Sequence, residues 1–285
     1  MYTERVEQLF SHVVDIPTLP LSVMRIMDMV DNSDCSVADV AKVLSSDPPL
    51  AAKVLKLANS SYYGFRQKIS SIPQAAALLG LTTLKNTLLS ASLIKVYAGG
   101  RTGLNLPALW THSFAVATAS KLIAKTVRFP NSEKAYAAGL LHDLGKIMIA
   151  RNLRIEYAEI VKIMRHQGMS IGDAEFYVLR VDHADVGAWI LHRWRIPNSI
   201  AEAVEHHHHP TRCRSNFDIC GVVYLANILV HRSGMGSGGD SVIREVDPVV
   251  TRYFGLNENS LSTLLFHLEE KRSEITSLAT VSAVG

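Results

Sequence analysis

Apolar residues along the chain recur at spacings of three and four, and no stretch alternates convincingly with a period of two, so the pattern predicts helices throughout. Residues 3–14 read as a short amphipathic helix, and the Pro17-to-Pro20 turn opens a second over 21–30. Ser36 is an N-cap for a helix over 37–45, and Asp47 followed by Pro48 starts one from about 49 to 58. Asn59-Ser60-Ser61-Tyr62-Tyr63-Gly64 closes that helix into a loop. A further pair, 73–79 and 83–97, has Gly80 as C-cap and Thr82 as the next N-cap, with Leu84, Leu88, Ala91 and Ser92 on its inner rows. Gly99-Gly100-Arg101-Thr102-Gly103 is the expected boundary between a helical subdomain over 1–98 and a second over 104–231.

The second subdomain opens with a helix over 108–127 whose inner face reads His112, Val116, Ala119, Ile123. One helix is expected over 133–150 and another over 153–167, ended by Gly168. Asp182 caps a helix from His183 to Arg195, stopped by Pro197. A helix over 198–208 finishes in His206-His207-His208-His209 before Pro210, and an apolar helix over 217–231 carries one internal amide, Asn227. Ser233-Gly234-Met235-Gly236-Ser237-Gly238-Gly239 reads as a flexible linker. The tail over 232–285 adds helices near 247–254 and 260–274 and a small-residue end expected to be disordered. The fold class is therefore all-α, a multi-helix bundle with an N-terminal helical subdomain packed on a second one.

Composition narrows this picture. Of 285 residues, 48% are apolar and 19% charged, a globular balance. The net charge of +3 is too small to argue for nucleic acid or an anionic membrane. Cys35, Cys213 and Cys220 form no CxxC pair and read as reduced thiols. The N-terminal MYTERVEQLF has no signal-peptide core, and no apolar run approaches the roughly 18 residues of a membrane span. The expected location is the cytoplasm. Two short helices joined by SSDPP invite a helix-turn-helix reading with Lys53 and Lys56 facing DNA, but such motifs carry more basic and amide residues than these, and nucleic acid is not an expected partner.

The candidate chemistry centres on Gly139-Leu140-Leu141-His142-Asp143-Leu144-Gly145-Lys146. The stretch is apolar on nearly every helical face, so a helix here is buried, and a buried carboxylate costs several kcal/mol unless compensated. Two compensations are open: a hydrogen-bonded His142–Asp143 pair, or a metal. His112 is either a satisfied core histidine or a ligand, and histidines at a helix C-terminus can serve the helix dipole alone. Collected from five successive helices, His112, His142, Asp143, His183, His207, His208 and Asn227 make an imidazole-rich set with one carboxylate, as bundles build metal sites. That set suits Fe, Zn, Ni, Co or Mn better than Mg or Ca, and two metals would fit it, with Asp143 as the bridge.

The order His112 … His142-Asp143 … residue 227 resembles the HD superfamily of metal-dependent phosphohydrolases, and His183 with His207-His208 resembles its two-metal members. Several segments resemble, more narrowly, the HDOD signalling domain. They are Asp47-Pro48-Pro49-Leu50, Leu57-Ala58-Asn59-Ser60, the Ala76-to-Gly80 turn and Trp110-Thr111-His112-Ser113. GLLHDLGK and Asp182-His183-Ala184-Asp185-Val186-Gly187, running on to Trp194, Ile196 and Pro197, belong with them. The likeness covers about residues 10–231. It implies one or two divalent metals (Fe, Zn, Ni or Mn) held by His112, His142, Asp143, His183, His207 and His208, with Asn227 a weak ligand. Lys146 matches a lysine that would face a substrate phosphate.

Asn227 departs from the superfamily's closing aspartate and offers a neutral amide in its place. Ala108 stands where the HD-GYP cyclic-dinucleotide hydrolases, a related branch, carry a glutamate. The resemblance thus implies a bacterial regulatory module of little or no catalytic activity, whose partners are other signalling proteins. The alternative is a two-metal phosphohydrolase acting on a nucleotide or cyclic dinucleotide, a phosphorylated small molecule, with Asp143 and Lys146 as its catalytic residues.

Overall fold

The computed structural model describes residues 2–13, 16, 18–30, 35–97, 103–240, 242 and 244–283, with the backbone alone at 94–97, 282 and 283. The helices run in order as α1 (Tyr2–Phe10), α2 (Leu21–Val30), α3 (Val37–Ser45), α4 (Pro48–Ala58), α5 (Ile72–Leu79) and α6 (Leu81–Tyr97). They continue as α7 (Leu106–Thr126), α8 (Ser132–Leu141), α9 (Leu144–Asn152), α10 (Arg154–Gln167), α11 (Ile171–Leu179), α12 (His183–Arg193) and α13 (Asn198–Glu205). A 3₁₀ turn at Pro210–Arg212 leads into α14 (Phe217–Ser233), followed by α15 (Pro248–Phe254), α16 (Glu258–Glu270) and α17 (Arg272–Ala283). No strand occurs among the described residues, and no helix among them is long and apolar enough to cross a membrane. The protein is all-α.

The chain forms two compact units, one of residues 1–16 with 99–272 and one of 17–98 with 273–285. This differs from the expected division at 1–98, 104–231 and 232–285. The first helix joins the larger unit because Phe10 stacks on Trp189 of α12, with ring centroids 5.7 Å apart, and Arg5 Nε donates to Leu179 O. Residues 232–272 join it as well, through α16, which packs on α7 and α14. The proposed boundary at 99–103 lies outside the described residues except for Gly103.

In the smaller unit the caps behave as their residue types dictate. Ser36 makes a full capping box with Asp39, and the Asp47 side chain accepts from Leu50 N at the start of α4. Asn59 closes the following loop by pairing both ways with Ile69, donating to its carbonyl at 2.8 Å and accepting from its N–H at 2.7 Å. The core includes Ile26, Leu44, Leu50, Leu84 and Leu88. The end beyond residue 274, expected to be disordered, is helical to Ala283 as part of α17, whose Ile275 and Leu278 are buried, because apolar residues at helical spacing gain from burial.

In the larger unit α7 and α14 are buried on nearly all faces. The helix expected over 133–150 is two: α8 ends at Leu141 and α9 begins at Leu144, with Asp143 at φ −98°, ψ 9° between them. Asp143 holds the N-cap position but makes no side-chain cap bond, so its carboxylate is left for the interior. The helix expected over 198–208 ends at Glu205, which places all four histidines in the turn beyond it. Two features were unforeseen. Helix α11 has Ser170 as its N-cap, and Cys213 and Cys220 are joined as a disulfide, with Cα atoms 6.7 Å apart. Two of the three thiols expected to be reduced are therefore paired by the turn that leads into α14.

Candidate metal centre

Two groups of three possible ligands lie in the larger unit, each with its ligand atoms within 4.8 Å of one another: His112, His142 and Asp143, and His183, His207 and His208. Helix α7 supplies His112, the α8–α9 break supplies His142 and Asp143, the first turn of α12 supplies His183, and the turn after α13 supplies the rest. Asp143 connects the groups. Its Oδ2 is 3.6 Å from His112 Nε2 and 3.3 Å from His142 Nε2, while Oδ1 is 3.4 Å from His183 Nε2 and 3.9 Å from His207 Nε2. His112, His142, Asp143, Lys146, His183 and His207 are buried, and His208 is partly exposed.

Hydrogen bonding sets which ring nitrogens point inward. His142 Nδ1 is 2.8 Å from Gly139 O, and His207 Nδ1 is 2.6 Å from Val204 O. Carbonyl oxygens only accept, so each ring carries a proton on Nδ1 and turns Nε2 toward Asp143. Burial drives His207 down to about 3, so near neutral pH its Nε2 is a bare lone pair facing a carboxylate oxygen. Burial likewise holds His112 and His183 well below the ordinary histidine range. The Nε2 atoms of His112 and His142 are buried without hydrogen-bond partners. Lone pairs aimed at a shared carboxylate repel one another unless a cation lies among them. The donor set therefore fits a divalent metal.

Lys146 lies beside Asp143. Its ammonium is 2.8 Å from both Asp143 oxygens, with the hydrogen bond going to Oδ2, and the side chain is buried. Burial would raise the Asp143 carboxyl, but the neighbouring His142 and Lys146 outweigh it and hold the group well below the carboxylate range. Asn227 lines a small cavity with His207, His208 and His231, and its buried Oδ1 has no hydrogen-bond partner.

Three contributors were missed in the sequence. Glu175 of α11 accepts from His183 N at 2.8 Å and lies 2.5 Å from its Nδ1, the carboxylate–histidine arrangement that orients metal ligands. A Ser170 cap with Asp173 three residues on was the available signal for α11. His231, one turn beyond Asn227, sets its ring 4.9 Å from that of His112. The third is the supposed linker. Ser237 N donates to Ala108 O at 3.1 Å, Met235 is buried, and Gly238 lies directly over the site. A Cβ on Gly238 would fall 2.8 Å from Asp143 Oδ2 and 3.0 Å from Lys146 Nζ. Small residues here serve close approach, not flexibility.

Because His207 takes up a proton near pH 6.5 when unfolded and only near 3 when folded, unfolding binds protons between those values. Stability is therefore expected to fall as pH drops from about 6.5 toward 3. Urea midpoints measured on chelator-treated protein across that window check this, and a flat profile would contradict the buried neutral ring.

Fold and site together define an all-helical protein built around a histidine- and aspartate-rich centre able to hold divalent metal. The sequence matches the HDOD domain family over residues 16–210, and the chain belongs to that family. An HDOD domain protein of unknown function from Geobacter sulfurreducens has the same fold, with a TM-score of 0.84, 28% identity, and coverage of 98% of this chain and 97% of that one. A Shewanella amazonensis SB2B protein provisionally named a phosphohydrolase superposes with a TM-score of 0.79 at 22% identity, over 99% and 98% of the two chains. A Marinobacter aquaeolei VT8 protein provisionally named a signal transduction protein gives 0.82 at 19%, over 99% of this chain and 66% of that one. An uncharacterized Treponema pallidum (strain Nichols) protein is 25% identical over 230 residues, 80% of this chain, which spans 44% of that relative's length.

Proposed function

We propose that this chain is a cytoplasmic signal-transduction module whose HD-type centre binds one or two divalent transition metals, Fe, Zn, Ni or Mn, and turns over phosphoesters feebly or not at all. His112, His142 and Asp143 would hold one ion, and His183, His207 and His208, sharing Asp143, the other. The observation that carries the reading is the Gly238 loop, whose backbone comes close to Asp143 and Lys146 and so crowds one side of the carboxylate. Asn227 adds to it: an amide dipole at the fourth corner contributes no charge to the ion it would help hold. Ala108 offers no carboxylate for a further metal. Partners are expected to be other signalling proteins, in keeping with the name of the Marinobacter protein.

The second reading, a phosphohydrolase acting on a phosphorylated small molecule, draws on the convergence of both ligand groups on Asp143 and on the name of the Shewanella protein. Bound divalent metal would supply Lewis acidity and an acidified water. In that reading Asp143 orients the water, Lys146 leaves Asp143 to meet phosphate, and Glu175 keeps His183 Nε2 directed inward.

The test compares native protein with Asn227→Asp, both metal-loaded, on p-nitrophenyl phosphodiesters and cyclic dinucleotides. The native protein is expected to be silent or feeble. The variant should gain roughly 10–100-fold in metal affinity or activity, the range typical of changes around ligands. Robust turnover by the native protein would overturn the signalling reading.

A further inference from the structure

Outside the metal centre, we propose that a cleft between α11, the turn after α13 and Arg244 binds a small phosphorylated ligand carrying a planar ring, the size of a single nucleotide. The cleft has a volume of about 410 Å³, within the range that encloses small ligands. Its chemistry is divided. Phe176 and Tyr177, consecutive on α11, line it while 54% and 58% exposed. Large aromatic side chains left in water beside a cavity offer faces for a heterocycle to stack on. Arg180, Arg212 and Arg244 supply the other component. Guanidinium groups match phosphate oxygens in forked pairs, and they favour phosphate over a diffuse negative surface.

Two carboxylates also line the cleft, and both are already engaged. Asp182 caps α12, accepting from Ala184 N at 2.9 Å and Asp185 N at 3.0 Å. Asp173 takes the Ser170 hydroxyl at 2.5 Å and lies 3.6 Å from Arg244 Nη2. Among the described residues Arg180 and Arg212 make no ion pair within 4 Å; Arg212 and Arg244 offset the Asp182 carboxylate from a distance, and three guanidinium groups face two carboxylates across the cleft. A phosphate would supply the remaining negative charge. His208 forms part of the wall, which places such a ligand beside one of the candidate metal ligands.

This site does not rest on the metal reading, because none of its arginines or aromatics is a metal ligand. It can therefore be probed on the whole chain after chelation. Calorimetric titrations with adenosine and guanosine 5′-monophosphates should give saturable binding. Adenosine, guanosine and ribose 5-phosphate should each bind at least about tenfold more weakly, since each lacks one of the two features. Arg212→Gln should weaken nucleotide binding by roughly 10–100-fold and Phe176→Ser by about tenfold. Both positions are exposed, so unchanged melting temperatures would confirm that the variants fold. Failure of either nucleotide to saturate, or affinities untouched by both substitutions, would overturn the proposal. Binding that needs added divalent metal, and is kept in both Arg212→Gln and Phe176→Ser, would place the ligand in the metal centre and refute the cleft. Nucleotide binding without turnover would leave the signalling reading intact, whereas turnover without cleft dependence would remove both.

Discussion

Lys146→Met is expected to destabilise chelator-treated protein by about 3–5 kcal/mol, the usual cost of stripping one partner from a buried ion pair. Asp143 and Lys146 are each 1% exposed, and the ammonium lies 2.8 Å from both carboxylate oxygens. Without it the carboxylate would be left among histidine lone pairs in a medium that cannot solvate it. Adding a divalent transition metal should return much of the loss, because the ion brings positive charge to the same oxygens. Urea unfolding of native and variant protein, each with and without metal, measures both effects. An equal deficit in the two states would mean that the metal and Asp143 do not interact. No deficit in either would mean that the pair is not buried.

The second large effect is mechanical. Gly145→Ala should cost more than about 3 kcal/mol and release metal, because overpacking without room to relax is strongly destabilising. A Cβ at Gly145 would lie 2.0 Å from His183 O and 2.9 Å from Gly187 N. Those are backbone atoms of α12, so α9 would have to lift away as a unit. The start of α9 is held by Asp143 and the start of α12 by His183, so the same movement separates a carboxylate oxygen from a ligand now 3.4 Å away. Gly172→Ala is the control. It too lies next to His183 and His208, but its Cβ would meet nothing closer than 3.9 Å. Within helix α11 it should stay within about 1 kcal/mol of native stability, with alanine's helix propensity acting in its favour. Thermal melts with metal analysis check both, and a Gly145→Ala protein of native stability would refute the backbone-to-backbone packing.

Local chemistry made much of the fold legible in the sequence. The expected bounds 21–30 and 37–45 coincide with α2 and α3, and Ser36, Asp47, Asp182 and Gly168 cap as their residue types require. Each of these depends only on neighbours within a turn, where side-chain oxygens and glycine's freedom act directly on the backbone. The candidate site residues were legible for a related reason: polar side chains on otherwise apolar helices stand out wherever they are placed.

What the sequence by itself determined is therefore the helical class, most helix bounds, and His112, His142, Asp143, Lys146, His183, His207, His208 and Asn227 as the candidate site residues. The tertiary structure decided what those residues face. It broke the 133–150 stretch at Asp143, since a carboxylate shared by two groups of histidines cannot also cap its own helix. It set Lys146 on Asp143, brought Glu175 behind His183, and laid Gly238 over the site. None of these contacts has a period or a spacing in the chain. They arise where backbones from distant segments come close enough that only a glycine fits and only a counter-charge makes burial tolerable.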